Sequence, residues 1–178
     1  MKTDTTKTLS TYLHWILLGV FFLCLLAMPL LPVLLATRFN AGWTVITDAG
    51  APISYFPLDQ STWPLFFLRL GFLELFAAGA AFVLWQGRGV MKNLARFRLF
   101  VSENVRHVRA AGFCTLGLAG VALVRMLTEW AVYGFRTVLY AYNTLFIPVF
   151  LVGGLLMLVL AALFEQGLKL KEDNDLVI

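Results

Sequence analysis

Long apolar runs separated by short polar connections set the pattern of this chain. Four of them, Tyr12 to Ala36, Leu65 to Trp85, Val108 to Tyr133 and Leu145 to Phe164, are each close to the ~20 residues a helix needs to cross a hydrocarbon core about 30 Å thick. Backbone groups in lipid must be bonded within their own segment, so the runs predict helices. The expected architecture is all-α: an integral membrane four-helix up-down bundle in one domain, residues 1–178. Its helices are expected at about 12–36, 65–98, 102–133 and 145–166, with an outer loop at 37–64 and a tail at 167–178.

The connections add detail. Pro29 and Pro32 near the outer end of the first helix predict a bend or a stop there. In the outer loop, Trp43 to Thr47, the turn-forming Asp48-Ala49-Gly50, and Ile53 to Phe56 read as a β-hairpin. Its aromatic residues Trp43, Tyr55, Phe56 and Trp63 suit the membrane interface better than a ligand pocket. Between the second and third helices, Val90, Leu94, Phe97 and Val101 keep helical spacing with Lys92, Arg96 and Arg98 among them, which predicts a basic amphipathic extension. Ser102 followed by Glu103 reads as the N-cap of the third helix.

Composition makes the membrane reading firm. The 178 residues are 60% hydrophobic and 13% charged, with a mean hydropathy of +0.82, against roughly half apolar and a quarter charged in soluble domains. Lys2 and Lys7 ahead of the first run resemble the start of a signal peptide. The run is longer than a usual h-region of ~7–15 residues, and no small-x-small cleavage site follows it, so it is read as a retained helix.

The net charge of +4 does not mark a nucleic-acid surface, because the bases cluster beside membrane segments. Arg88, Lys92, Arg96, Arg98, Arg106 and Arg109 lie around the second connection, against the single acid Glu103. The other two connections hold one base each, Arg38 and Arg136. The positive-inside rule then places the second connection and both termini in the cytoplasm. Anionic lipid headgroups are the simplest partner for these bases, at about 1 kcal/mol per side chain. Cys24 and Cys114, both in apolar runs, form no redox motif and read as buried thiols.

Two spans carry ionisable groups, Arg69 and Glu74 in the second and Arg125 and Glu129 in the third. Each such group costs at least ~2.5 kcal/mol to insert, so partners or work are expected for it. Counting ~1.5 Å per residue from the outer ends, Arg69 and Glu129 lie roughly 7 and 6 Å deep, Glu74 and Arg125 roughly 15 and 12 Å. Depths match by opposite sign, which pairs Arg69 with Glu129 and Arg125 with Glu74. The favoured role is a neutral network that sets helix register. A transport or proton path through Glu74 is the functional alternative, although broken helices at the midplane would be more typical of it.

His14 and His107, both near the cytoplasmic interface, make a bis-histidine haem conceivable, but interfacial placement explains two histidines as well. No metalloprotease, hydrolase, phosphate-loop or dinucleotide motif is present. No cofactor and no enzymatic activity is therefore expected. The acidic tail residues Glu172, Asp173 and Asp175, with Leu176 after them, read as a solvated tail or as a peptide ligand for a cytoplasmic partner.

Two short stretches carry a resemblance. Phe100, Glu103, Asn104, Arg109 and Gly112 follow the pattern F-x-x-E-N-x-x-x-x-R-x-x-G of the bacterial membrane family catalogued as domain of unknown function 2975. Leu170 to Ile178 resembles that family's acidic ending, with Val177 where threonine is usual. The resemblance implies a small bacterial inner-membrane protein, and, from the helix-turn-helix regulators often encoded beside such proteins, a cytoplasmic DNA-binding partner. It brings no functional residues with it. The leading expectation is a regulatory or scaffolding membrane protein that docks a cytoplasmic partner on the loop Arg88 to Arg109 and the tail, with a second copy of the chain as a further candidate partner. A transport or channel subunit comes second and a haem-binding electron carrier third.

Overall fold

The computed structural model describes residues 2–41, 45–46, 52–53, 63–133 and 146–175. Four helices account for nearly all of these: α1 Lys2–Ala41, α2 Trp63–Ala95, α3 Ser102–Tyr133 and α4 Phe146–Asp175. Each contains a segment long and apolar enough to cross a membrane, Lys7–Val33, Leu70–Ala95, Ser102–Thr128 and Phe146–Asn174. The chain is a multi-pass membrane protein.

Helix α1 runs through both Pro29 and Pro32, and so neither stops nor remains within the apolar run. Each proline removes one backbone bond, leaving the carbonyls of Leu25 and Met28 without their usual donor. In lipid the remaining bonds have no alternative acceptor, so continuing the helix still costs least. Helix α2 ends at Ala95, short of the expected 98, in a turn over residues 96–97. Helix α4 continues past its apolar run to Asp175, through Glu, Gln, Leu and Lys residues that are themselves good helix formers.

Val45–Ile46 (β1) and Pro52–Ile53 (β2) pair antiparallel, Val45 with Ile53 and Ile46 with Pro52. The turn at 48–50 and the flanking residues Trp43 and Phe56, on which the expected hairpin depends, lie outside the described residues. Two rungs alone contribute little stability.

Packing follows chain order: α1 on α2, α2 on α3, and α3 on α4. Contacts between consecutive helices run in opposite chain directions. Phe21 meets Trp85 with ring centroids 5.2 Å apart, and His14, further toward the N-terminus, meets Arg88. Across α2 and α3, Gly79 faces Leu118 and Gly89 faces His107. Across α3 and α4, Gly112 faces Leu158 and the Gly154 carbonyl, while Gly154 faces Leu116. Phe76 of α2 also stacks on Phe150 of α4 at 5.9 Å.

Small residues occupy much of the interior: Ala81, Ala111, Ala119, Ala122 and Ala161 are buried beside Val90, Val105, Val108 and Leu118. Long side chains such as Leu23, Leu26, Leu156 and Leu163 face outward. This inversion is the membrane solution, because lipid solvates leucine as well as a neighbouring helix does, whereas small residues allow backbones to approach. A core cluster of Val90, Val108 and Ala161, covered by Met91, Met157 and Phe164, lies toward the end of the bundle that carries the α2–α3 turn.

Candidate functional site

The short connection between α2 and α3 is built on two backbone bonds. The Phe97 amide donates to the Leu94 carbonyl at 2.9 Å and the Arg98 amide donates to the Asn93 carbonyl at 2.9 Å. This is the Schellman pattern, and it requires a left-handed residue after the helix. That residue is Phe97, at φ 57°, where glycine would be free of strain. Its side chain is 57% exposed.

Beneath the turn lies a polar network. Asn104, fully buried at 0% exposure, donates to the Arg98 carbonyl at 2.9 Å and the Leu99 carbonyl at 2.8 Å. Its oxygen accepts from Asn93 Nδ2 at 2.8 Å. The same Asn93 nitrogen reaches Glu103 Oε2 at 3.3 Å. Buried amides are tolerated only when such bonds are made, and both donors and the acceptor of Asn104 are engaged. Helix α3 starts on the Val101 carbonyl, which accepts from the amides of Asn104 and Val105. Val101 thus takes the cap position expected for Ser102, and Ser102 becomes the first helical residue.

The remaining residues of the family pattern join α3 to α4. The Phe100 ring lies so close over Gly167 that a Cβ there would clash with it, and it meets Phe164 edge-to-face at 6.4 Å. Arg109 forms an ion pair with Glu165 at 2.6 Å, and Lys169 Nζ lies 3.9 Å from the other oxygen of the same carboxylate. Gly112 packs closely against Leu158 and the Gly154 carbonyl of α4. Phe100, Glu103, Asn104, Arg109 and Gly112 therefore make packing, hydrogen-bond and ion-pair contacts at this end of the fold. A groove of about 530 Å³ between α3 and α4 opens beside them, with Arg106, Arg109 and Glu165 at its polar side and Ala110, Phe113 and Leu168 at its apolar side.

The structure gathers the basic residues at this end. Lys92, Arg96, Arg98, Arg106 and Arg109 are exposed, whereas Arg88 is half-buried, its guanidinium 4.5 Å above the Trp85 ring. Glu172 and Asp173 are exposed on the last turns of α4. The Asp175 side chain and Leu176 lie outside the described residues, as do the side chains of Arg69 and Glu129. Glu74 and Arg125 are both half-buried, and among the described residues no ion pair joins them. His14 Nδ1 donates to the Arg88 carbonyl at 3.4 Å and His107 Nδ1 donates to Gln86 Oε1 at 2.5 Å, so each imidazole is engaged with its own partner on α2.

Sequence reasoning did not single out Asn93, Phe97 as a left-handed residue, or Glu165 as the partner of Arg109. An asparagine three residues before a basic turn is a weak signal for the first. The other two depend on contacts between distant parts of the chain.

Neither a curated protein nor a solved structure matches the chain. A family described as "Protein of unknown function (DUF2975)" matches residues 2–178, and the turn and α3–α4 contacts above give physical roles to the five pattern residues by which the sequence resembles it. The chain belongs to this family of proteins of unknown function.

Proposed function

We propose that this protein is a regulatory or scaffolding membrane protein, not an enzyme, and that its α2–α3 end docks a cytoplasmic protein. One observation carries the reading: an exposed Phe97 held in a left-handed conformation, between exposed Arg96 and Arg98, on a turn fixed from below by Asn104. Left-handed backbone at a non-glycine residue costs on the order of 1–3 kcal/mol, and such strain is usually retained where it aims a side chain at something. Aromatic and arginine side chains together are the usual anchors of protein interfaces. Helix α2 extends about 15 Å past Trp85, at ~1.5 Å per residue, which carries this tip beyond the headgroup layer and toward a protein partner.

In this reading the bundle runs up-down-up-down, with both termini and the α2–α3 turn in the cytoplasm of a bacterial cell and the bundle in its inner membrane. The opposed registers of consecutive helices and the cluster of bases at one end support it. A helix-turn-helix regulator is the partner class that the family resemblance implies, met through an acidic face that complements Arg96 and Arg98. The exposed acidic end of α4 would be a second contact.

Cross-linking in native membranes tests this. Full-length protein is expected to capture a defined cytoplasmic partner, and Phe97→Gly combined with Arg98→Gln is expected to lose it while the fold persists. An identical partner set for wild type, for that variant and for a chain truncated after Gly167 would remove docking from the account.

A further inference from the structure

The groove between α3 and α4 sits where the chain leaves the hydrocarbon. Arg106 and Arg109 flank Val108, the first residue of the third apolar run, and Glu165 follows Phe164, the last residue of the fourth. Phe113 lies about 8 Å deeper than Val108 along the helix. The groove thus has a charged mouth at headgroup level, where Leu168 also stands, and an apolar floor of Ala110 and Phe113 reaching toward the acyl region.

Its charges are unbalanced. Glu165 is the single carboxylate lining the groove; one of its oxygens is held by Arg109 at 2.6 Å and the other lies 3.9 Å from Lys169. Arg106, also exposed and lining the groove, forms no ion pair among the described residues. One uncompensated guanidinium therefore stands over an apolar slot, and the Ser102 residue lines the groove beside it.

We infer that this groove is a binding site for one anionic glycerophospholipid, its phosphodiester on Arg106 and its glycerol and first acyl carbons over Ala110 and Phe113. A phosphodiester supplies three features the groove lacks: a single negative charge, acceptors for the guanidinium fork, and an attached apolar body. Glu165 disfavours a second anion, so a lipid whose headgroup adds no further charge fits best. The bilayer presents such molecules at the mouth continuously, which lowers the ordering cost of capture. The inference rests on membrane embedding alone and stands independently of the docking proposed above.

Native mass spectrometry of the full-length protein, with equal amounts of phosphatidylglycerol and phosphatidylcholine, tests it. One phosphatidylglycerol is expected to be retained over phosphatidylcholine by about fivefold, the ratio that one basic side chain near a headgroup supports. Arg106→Gln should bring the two lipids to parity. Ser102→Glu, which puts an anion beside the site and suits a helix start, should do the same by a separate route. Lys92→Gln, which removes an equal charge elsewhere on this end, should leave the preference within about twofold, as expected if the site and not the bulk field decides. Soluble glycerol 3-phosphate should not displace the lipid. Equal retention of the two lipids by wild type, an unchanged preference in Arg106→Gln or Ser102→Glu, an equal loss in Lys92→Gln, or displacement by glycerol 3-phosphate would each overturn the assignment.

Discussion

Replacing Asn104 by alanine removes two donated bonds, to the carbonyls of Arg98 and Leu99, and one accepted from Asn93. Each is worth about 1 kcal/mol net, which sets a loss of about 3 kcal/mol. Two corrections pull in opposite directions. Asn93 is itself buried at 8% exposure, and its amide would keep only the 3.3 Å contact to Glu103, which raises the cost. Arg98 is exposed and Leu99 half-exposed, so water can reach the freed carbonyls, which lowers it. A loss of roughly 2–4 kcal/mol results. At ~2–4 °C per kcal/mol for a chain of this size, the central loss of about 3 kcal/mol should lower thermal unfolding in detergent by roughly 6–12 °C. Asn93→Ala should cost less, because both Asn104 donors stay bonded. The double variant should be milder than the sum by about 1 kcal/mol, since the two single changes break one shared bond. An Asn104→Ala protein melting within about 2 °C of wild type, or strict additivity of the pair, would refute the view that this network holds the turn.

Gly154→Ala is expected to destabilise by about 1–3 kcal/mol, because its Cβ would lie 2.7 Å from Leu116 Cγ and 3.0 Å from the Leu116 backbone nitrogen; Gly153→Ala, with nothing within 4 Å, should be neutral or better in the same thermal melt. Glu74→Gln should leave the melting temperature unchanged or raise it, since the carboxylate has no ion-pair partner among the described residues and a neutral amide is cheaper to insert; a fall of more than about 1 kcal/mol would show a stabilising ion network, and loss of a pH-dependent flux in liposomes would favour the transport alternative. The Arg109 and Glu165 pair, 49% and 42% exposed, should show a coupling below about 1 kcal/mol in a double-mutant cycle on thermal stability.

The four spans were legible in the sequence because crossing a membrane is a local requirement: enough consecutive apolar residues, and a backbone that satisfies its own polar groups. The family pattern was legible too, as was the clustering of bases at one end. The meaning of that pattern was not. Asn104 reads as an ordinary polar residue near a helix start, and only the fold shows it buried beneath a turn that Phe97 closes in a left-handed conformation. Nothing local distinguishes Gly153 from Gly154; the rotation of α4 against α3 decides which one touches Leu116. Arg109 and Glu165 are 56 residues apart, so their pairing follows from how two helices dock and not from spacing along either. Hydropathy along the chain determined that this protein crosses the membrane and roughly where, whereas partner choice, burial direction and the groove at the headgroup level arose only when the helices packed, because each depends on residues that the chain keeps far apart.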